Sequence, residues 1–229
     1  MAAIPAAGIL STSPYAVRRI ADTIGALHAL VPVEPVVPAV WQMEPTRPAV
    51  VLGSSQSAEV VDHEVARALD VDVVRRRSGG GAVLVDPNTT AWFDVIVPVG
   101  APGWATDIHR PMRWLGDRLA QALRVVDPHL DPQVQAVVVD TEWSQLLCFD
   151  GLGAGELTLG GLKLVGMSQR RTRSFARLQC SWYRRDERER LIDLLAPAHR
   201  PPLVALAPHA TLPHVDLADV LTALLPRLV

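Results

Sequence analysis

Gly79-Gly80-Gly81 interrupts two β-branched runs, and that interruption limits the fold more than any other stretch of the chain. Three successive glycines weaken any helix or strand that contains them and open backbone conformations closed to other residues. The flanks, Val71 to Arg77 before and Ala82 to Val85 after, are strand-forming by composition. Asp86-Pro87-Asn88 then turns the chain, and Ala91 to Val97 is expected to return as the partner strand. The glycine loop therefore belongs to a sheet. Its N–H groups can converge without a Cβ to hold a ligand away, which suits a phosphate or an acyl chain. A flexible hairpin bulge is the reading without a ligand. No Gly-Lys-Ser/Thr follows and the loop enters a strand, so neither the P-loop nor the dinucleotide fingerprint fits.

A second glycine pair, Gly160-Gly161, predicts a two-residue hairpin turn between Glu156–Leu159 and Leu162–Ser168. Just beyond it stands Lys163, the only lysine among 22 basic residues. Lysine is a compact charge on a flexible stem and arginine a wide planar fork, so one lysine in an arginine background marks a place for the smaller cation. Codon bias with one survivor is the alternative. Strand alternation puts Lys163 on one face with Val165 and Met167.

The remaining pattern predicts helices over 14–30 (capped by Ser13), 58–69 (capped by Ser57), 112–125, 185–195 and 217–225. Further strands are expected at 40–42, 49–53, 137–139, 143–149 and 175–183. This is an α/β (or α+β) chain with a mixed β-sheet and flanking helices, read as a single domain over 1–229. A net charge of −2 gives no signal for nucleic acid. The amino-terminal segment has no basic region and is broken by Pro5, so no signal peptide is expected; no run is long enough to span a membrane. The cytoplasm is the expected compartment. Cys148 and Cys180 have no metal spacing, the seven histidines are scattered, and no metal site is expected.

Arg75-Arg76-Arg77-Ser78-Gly79-Gly80-Gly81-Ala82-Val83 resembles the Arg-Arg-x-Ser-Gly-Gly-Gly-Ala-Val signature of lipoate-protein ligases and their octanoyltransferase relatives. Gly161 to Gln169 is similar to that family's Gly-x-Lys-x-x-Gly-Ser-Ala-Gln segment, and Trp41 with Pro48 to Gln56 is a weaker upstream match. The three occur in the family's order. The resemblance implies the fold of the biotin/lipoate protein ligase catalytic domain and, first, a ligase. Such an enzyme activates lipoate or octanoate with ATP and Mg2+ as an acyl-adenylate, then attaches the acyl group to a lysine of a lipoyl carrier domain (2-oxoacid dehydrogenase E2 or glycine cleavage H protein type).

By that resemblance Lys163 stabilises charge at the acyl carbonyl and α-phosphate. Arg75, Arg76, Ser78, Gly79, Gly80, Gly81, Ala82 and Val83 line the acyl-adenylate, with Gly166, Met167 and Ser168 closing over its carboxyl end. Asp86 and Asn88 stand where the family has Asp-x-Gly-Asn-Thr, one residue shorter here. The family's Gly-Arg-x-Gln arginine is replaced by Ser54-Ser55, and its Gln-His-Gly reads Gln179-Cys180-Ser181. Many ligases of the family carry an accessory domain for adenylation. About 46 residues follow Tyr183, so no separate accessory domain is expected and a partner protein is one route to activation.

Cys148-Phe149-Asp150 followed by Glu156 resembles the cysteine-dependent octanoyltransferases of the same superfamily. The implied alternative is a Cys148 thioester formed from octanoyl-acyl carrier protein without ATP, with Lys163 assisting; a buried strand cysteine is the plain reading. A non-catalytic binder of lipoyl domains or acyl acids is a third possibility. Arg170-Arg171-Thr172-Arg173 with Arg177 is a local basic patch, either a solvated face or a dock for phosphate or an acidic carrier.

Overall fold

The computed structural model describes residues 13–229; the expectation for the amino-terminal segment lies outside them. The chain forms two sheets. The larger has seven strands in the order β1 (Ala16–Asp22), β2 (Ala39–Pro45), β6 (Thr90–Pro98), β10 (Phe175–Tyr183), β9 (Leu162–Arg171), β8 (Leu157–Leu159) and β7 (Gln133–Val134). The smaller has the order β4 (Asp72–Arg75), β3 (Ala49–Leu52) and β5 (Val83–Val85). β1–β2 and β3–β4 pair in parallel and the other pairs are antiparallel, so the expected mixed sheet is present.

Three apolar layers hold this together. α3 (His109–Val126) and α5 (Leu217–Leu224) cover one face of the large sheet, burying Leu115, Leu119, Leu123, Val220 and Leu224 against Phe93, Val95, Leu164 and Leu178. The small sheet and α1 (Ile24–Ala29) pack on the other face, where Ile24, Leu27, Val51 and Val83 meet Trp41, Trp92 and Ile96. α2 (His63–Ala68) and α4 (Arg188–Asp193) close the outer face of the small sheet around Leu52, Leu84 and Leu191. None of the described helices is long and apolar enough to cross a membrane.

Four local expectations are corrected. The helix over 14–30 is a strand followed by a short helix: Ala16–Asp22 pairs along the edge of β2, and Thr23 caps Ile24–Ala29 through Ala26 N. Pairing with an open sheet edge outweighs the weak local helix preference. The helix over 58–69 splits, because Val60 and Val61 are buried and Val61 bridges Leu195; Asp62 then caps α2 by accepting from Val65 N at 3.1 Å. β5 and β6 are not partners. The Asp86 turn is a crossover between sheets, since Val83 and Val85 pack against Trp92 across a core instead of beside it. Finally, 137–139 and 143–149 are not strands. Val137 is 62% exposed, and Val139 makes a single bridge, to Leu152. Residues 141–151 form successive turns held by side chains: Ser144 Oγ accepts from Thr141 N and donates to Thr141 O, and Thr141 Oγ1 accepts from Trp143 N. Short hydroxyl side chains offer the backbone partners that a ladder would otherwise supply.

Candidate active site

The glycine loop is held from beneath by arginine. Buried Arg76 donates to Gly79 O at 2.8 Å, Gly81 O at 2.9 Å and Val51 O at 3.3 Å. Arg75 reaches Gly53 O at 3.0 Å and also Gln56 O. Arg76 thus serves as a scaffold for the loop that the sequence assigned to substrate, and Arg75 for the neighbouring 53–56 turn. A Cβ on Gly81 would lie 2.6 Å from Leu147 N and 2.7 Å from Leu146 C, so only glycine lets this loop meet the 141–151 turns. The contact is completed by Ala82 N donating to Leu146 O (2.7 Å) and Cys148 N donating to Ala82 O (2.9 Å). The two motif-bearing loops are one unit.

Lys163 lies on that unit, and it is buried. Its Nζ donates to Cys148 O (2.7 Å), Gly151 O (2.9 Å) and Glu156 Oε2 (2.8 Å). An ammonium has three N–H bonds, and three acceptors use them all. Glu156 is equally committed, accepting from Gly153 N at 2.6 Å and Met167 N at 2.8 Å. The Phe149 ring lies 5.1 Å from Nζ, and a Cβ on Gly166 would stand 2.9 Å from that ring. Compactness is the property this position needs: a guanidinium has no room between Phe149, Gly166 and the turn carbonyls.

Ser78, also buried, joins the loop to β9 and β10. Its hydroxyl lies 3.0 Å from Ser168 Oγ and donates to Gln179 Oε1 at 3.1 Å, while Gln179 Nε2 lies 3.2 Å from His28 Nδ1. His28 stacks on Trp92 with ring centroids 4.6 Å apart. Burial, then the charges of Arg177 and Arg76, lowers the His28 pKa to about 3, so the imidazole is neutral at neutral pH.

These pieces surround a cleft of about 600 Å³ lined by Gly79, Gly80, Gly81, Cys148, Lys163, Met167 and Ser168, with Ile108, His109 and Met112 on the opposite wall. A size of this order accommodates a small-molecule or acyl ligand. A smaller cavity of about 40 Å³ adjoins it through Cys148, Met167 and Ser168 and reaches Gly166, Val83 and His28. Cys148 is partly exposed and borders both. Cys180 is buried, and burial followed by the Asp94 and Glu156 charges pushes its thiol well above the ordinary range, which leaves it protonated and unreactive.

Lys163, Cys148, Ser78, Gly79, Gly80, Gly81, Gly166, Met167 and Ser168 are therefore brought together, with Ala82 and Val83 directly behind them. Asp86 and Asn88 are not. Asp86 accepts from Asn88 N (2.8 Å) and Arg190 Nη1 (2.7 Å) in a turn that does not border the cleft, and Asn88 is exposed. Burial alone would raise the Asp86 pKa; the hydrogen bonds from Arg190 and Asn88 outweigh it and hold the carboxyl below its usual range. Sequence reading missed Glu156 as the partner of Lys163. The signal was present, because the Gly160-Gly161 hairpin sets Thr158 opposite Lys163 and Glu156 two residues further along.

Residues 26–200 match the family model described as the lipoyl protein ligase A/B catalytic domain. Among curated relatives, the octanoyltransferase LipM of Kyrpidia tusciae is 32% identical over 130 residues, 55% of this chain and 47% of the relative. LipM of Moorella thermoacetica is 31% identical over 125 residues, 54% and 45% of the two chains. The matched region thus spans less than half the length of those relatives. Among solved structures, a lipoate-protein ligase A bound with ATP superposes with a TM-score of 0.66 at 16% identity, covering 94% of this chain and 83% of that one. Protein Ta0514 of T. acidophilum, with bound lipoic acid, gives 0.63 at 18% identity, covering 87% and 74%. At these identities the structures speak for the fold. With three quarters of its length matched by the family model, the chain belongs to the lipoyl protein ligase A/B catalytic domain family.

Proposed function

We propose that the protein is an acyltransferase that moves an octanoyl group from a carrier thioester, through Cys148, to a lysine of a lipoyl carrier domain. The observation that carries this reading is the placement of Cys148: partly exposed, bordering both cavities, with its backbone carbonyl held by Lys163 at 2.7 Å. The octanoyltransferase relatives support it over adenylation.

In the first step Cys148 Sγ gives up its proton and attacks the donor carbonyl, the carbon–sulfur bond to the carrier breaks, and the released carrier sulfur takes up that proton to leave as a thiol. In the second, the ε-amine of the acceptor lysine attacks the Cys148 thioester, an amide forms and the Cys148 thiol is restored. The backbone N–H groups of Gly79, Gly80 and Gly81 make no hydrogen bonds among the described residues. They border the same cleft as Cys148, and they are the donors available to a tetrahedral oxyanion. Lys163 is a positioning residue: it fixes the turn bearing Cys148 and supplies a fixed positive charge beside it.

Activation by ATP and Mg2+ is the second reading and rests on motif resemblance alone. The described residues hold no group of three or more His, Cys, Asp or Glu side chains able to bind a metal, and both Glu156 oxygens are occupied. Magnesium would be carried chiefly by the phosphates of the nucleotide it accompanies. The two readings separate in one assay. Apo lipoyl domain is incubated with octanoyl-acyl carrier protein, or with octanoate and Mg-ATP, and its intact mass is read. Octanoylation from the carrier without nucleotide is expected. Octanoylation from free octanoate with Mg-ATP alone overturns the transferase.

A further inference from the structure

Transfer to the acceptor releases a proton that Lys163 and Glu156 cannot take. A lysine side chain reaches the cleft as an ammonium, and only its free amine attacks an acyl carbon. Going from ammonium and thioester to amide and thiol sets one proton free, so a base beside the cleft is needed. Six titratable side chains line the cleft: His109, Asp140, Cys148, Glu156, Lys163 and Arg171. Four of them are excluded. Cys148 carries the acyl group. Lys163 Nζ donates to three acceptors and has no lone pair. Glu156 is filled on both oxygens, by Gly153 N and Lys163 at Oε2 and by Met167 N at Oε1. Arg171 is always charged. Its Nη2 donates to Ala105 O at 2.6 Å and its Nη1 to Asp107 O at 3.3 Å, and its guanidinium lies 4.5 Å from the Trp104 ring.

Two groups remain, on different walls. His109 lies in the first turn of α3, opposite the glycine loop and Cys148. Its backbone N–H donates to Asp107 Oδ1 at 2.8 Å, but neither ring nitrogen is hydrogen-bonded among the described residues, and the residue is exposed. Asp140 opens the turns that carry Cys148; it too is exposed, and its carboxylate accepts one long bond, from Ser144 Oγ at 3.5 Å. A carboxylate attracts an ammonium but is a poor base toward it, whereas imidazole gains and loses its proton near neutral pH. The direction of attack agrees. Cys148 and the glycine loop hold the acyl carbonyl on one wall, so the amine approaches from the open side with the α3 wall behind it. We propose that His109 is the general base of the acceptor step and that Asp140 draws the lysine ammonium into the cleft. His109 takes one proton from the ε-ammonium and becomes imidazolium. The amine nitrogen bonds to the acyl carbon, the carbon–sulfur bond to Cys148 breaks, and a second proton passes from that nitrogen to the leaving sulfur. The imidazolium then gives its proton to solvent. The charged groups about the ring are Asp107, Arg110 and Arg113 along its own chain segment, Arg171 from β9, and Asp140 from the other wall. The inference rests on acyl transfer to a lysine and not on the donor, because attack on an acyl-adenylate leaves the same ammonium proton to be removed.

The test separates the two half-reactions. Octanoyl-Cys148 enzyme is formed from octanoyl-acyl carrier protein and mixed with apo lipoyl domain, and loss of the acyl group is followed by quenched mass measurement between about pH 6 and pH 9. In the wild type the acceptor rate should rise with pH and level off once the imidazole is neutral. In His109→Gln it should be about 100-fold slower near neutral pH. It should then climb about tenfold per pH unit without levelling, as the free-amine fraction of the acceptor grows. Acyl-enzyme formation, in which no ammonium loses a proton, should change far less. Added imidazole should restore the acceptor step in His109→Ala, because the position is open to solvent. Arg110→Gln, on the same turn but outside the cleft lining, should behave as wild type. Asp140→Asn should raise the acceptor KM about threefold at low salt and leave the limiting rate unchanged. A levelling profile kept in His109→Gln, or equal slowing of both half-reactions, overturns the base; an acceptor KM unchanged in Asp140→Asn overturns the part given to Asp140. If no octanoyl-Cys148 forms, the transferase reading fails by itself. Octanoyl-adenylate as donor then runs the same comparison, and a levelling profile lost in His109→Gln supports the base there as well.

Discussion

The two ends of β9 treat positive charge in opposite ways. At the inner end Lys163 is buried with every N–H taken by Glu156 and two turn carbonyls. At the outer end Arg170 faces Arg177 and, among the described residues, has no carboxylate partner and leaves Nη1 without a hydrogen bond. A closed set of bonds fixes geometry, and an open one leaves the side chain free to move.

Breaking the closed end should have the largest effect on stability. Lys163→Met or Glu156→Gln each leaves a buried partner uncompensated and should cost about 3–5 kcal/mol in denaturant unfolding. The double variant should cost clearly less than the sum, because neither charge is then stranded. Next comes Gly166→Ala. Its methyl would meet the Phe149 ring at 2.9 Å, and an overpacking cost of roughly 1–3 kcal/mol is expected together with displacement of the Cys148 turn.

The pH response is smaller. His28 is neutral in the folded state, with its pKa depressed from 6.5 to about 3. Its contribution is fully present above about pH 6.5 and is lost as pH falls through that window toward about 3, because the unfolded chain takes up the proton first. Unfolding midpoints measured across this range should fall with pH, less steeply in His28→Asn. The smallest effect belongs to the open end: Arg170→Gln should lie within about 0.5 kcal/mol of wild type or stabilise slightly. A loss there comparable to Lys163→Met would erase the contrast between the two ends.

What could be read from the sequence followed from how local its causes are. The Gly160-Gly161 hairpin, β10 and α3 are set by turn chemistry and periodicity within one segment, and they form as expected. β1 does not, because what makes it a strand is the edge of β2. The run Leu146-Leu147-Cys148-Phe149 has the composition of a strand. It is held as turns by Ala82 and by Asp150, whose Oδ1 accepts from Ala207 N at 2.7 Å, partners far away in the chain. Within the site, Lys163 was visible as a lone lysine and Cys148 through its neighbours. The Gln179–His28 contact joins residues 151 positions apart, and no local pattern announces it. Arg75 and Arg76 showed the opposite limit: their motif was legible, but not that Arg76 would serve the loop's own carbonyls and Arg75 those of the 53–56 turn.

The central claim is that the acyl group passes through Cys148. The most direct measurement is intact mass of the protein after brief incubation with octanoyl-acyl carrier protein and no acceptor, followed by acid quench and peptide mapping. The account predicts a mass increase of one octanoyl group, carried on the peptide containing Cys148 and absent in Cys148→Ala. An unmodified protein that still octanoylates a lipoyl domain, or an adduct that persists in Cys148→Ala, would contradict it.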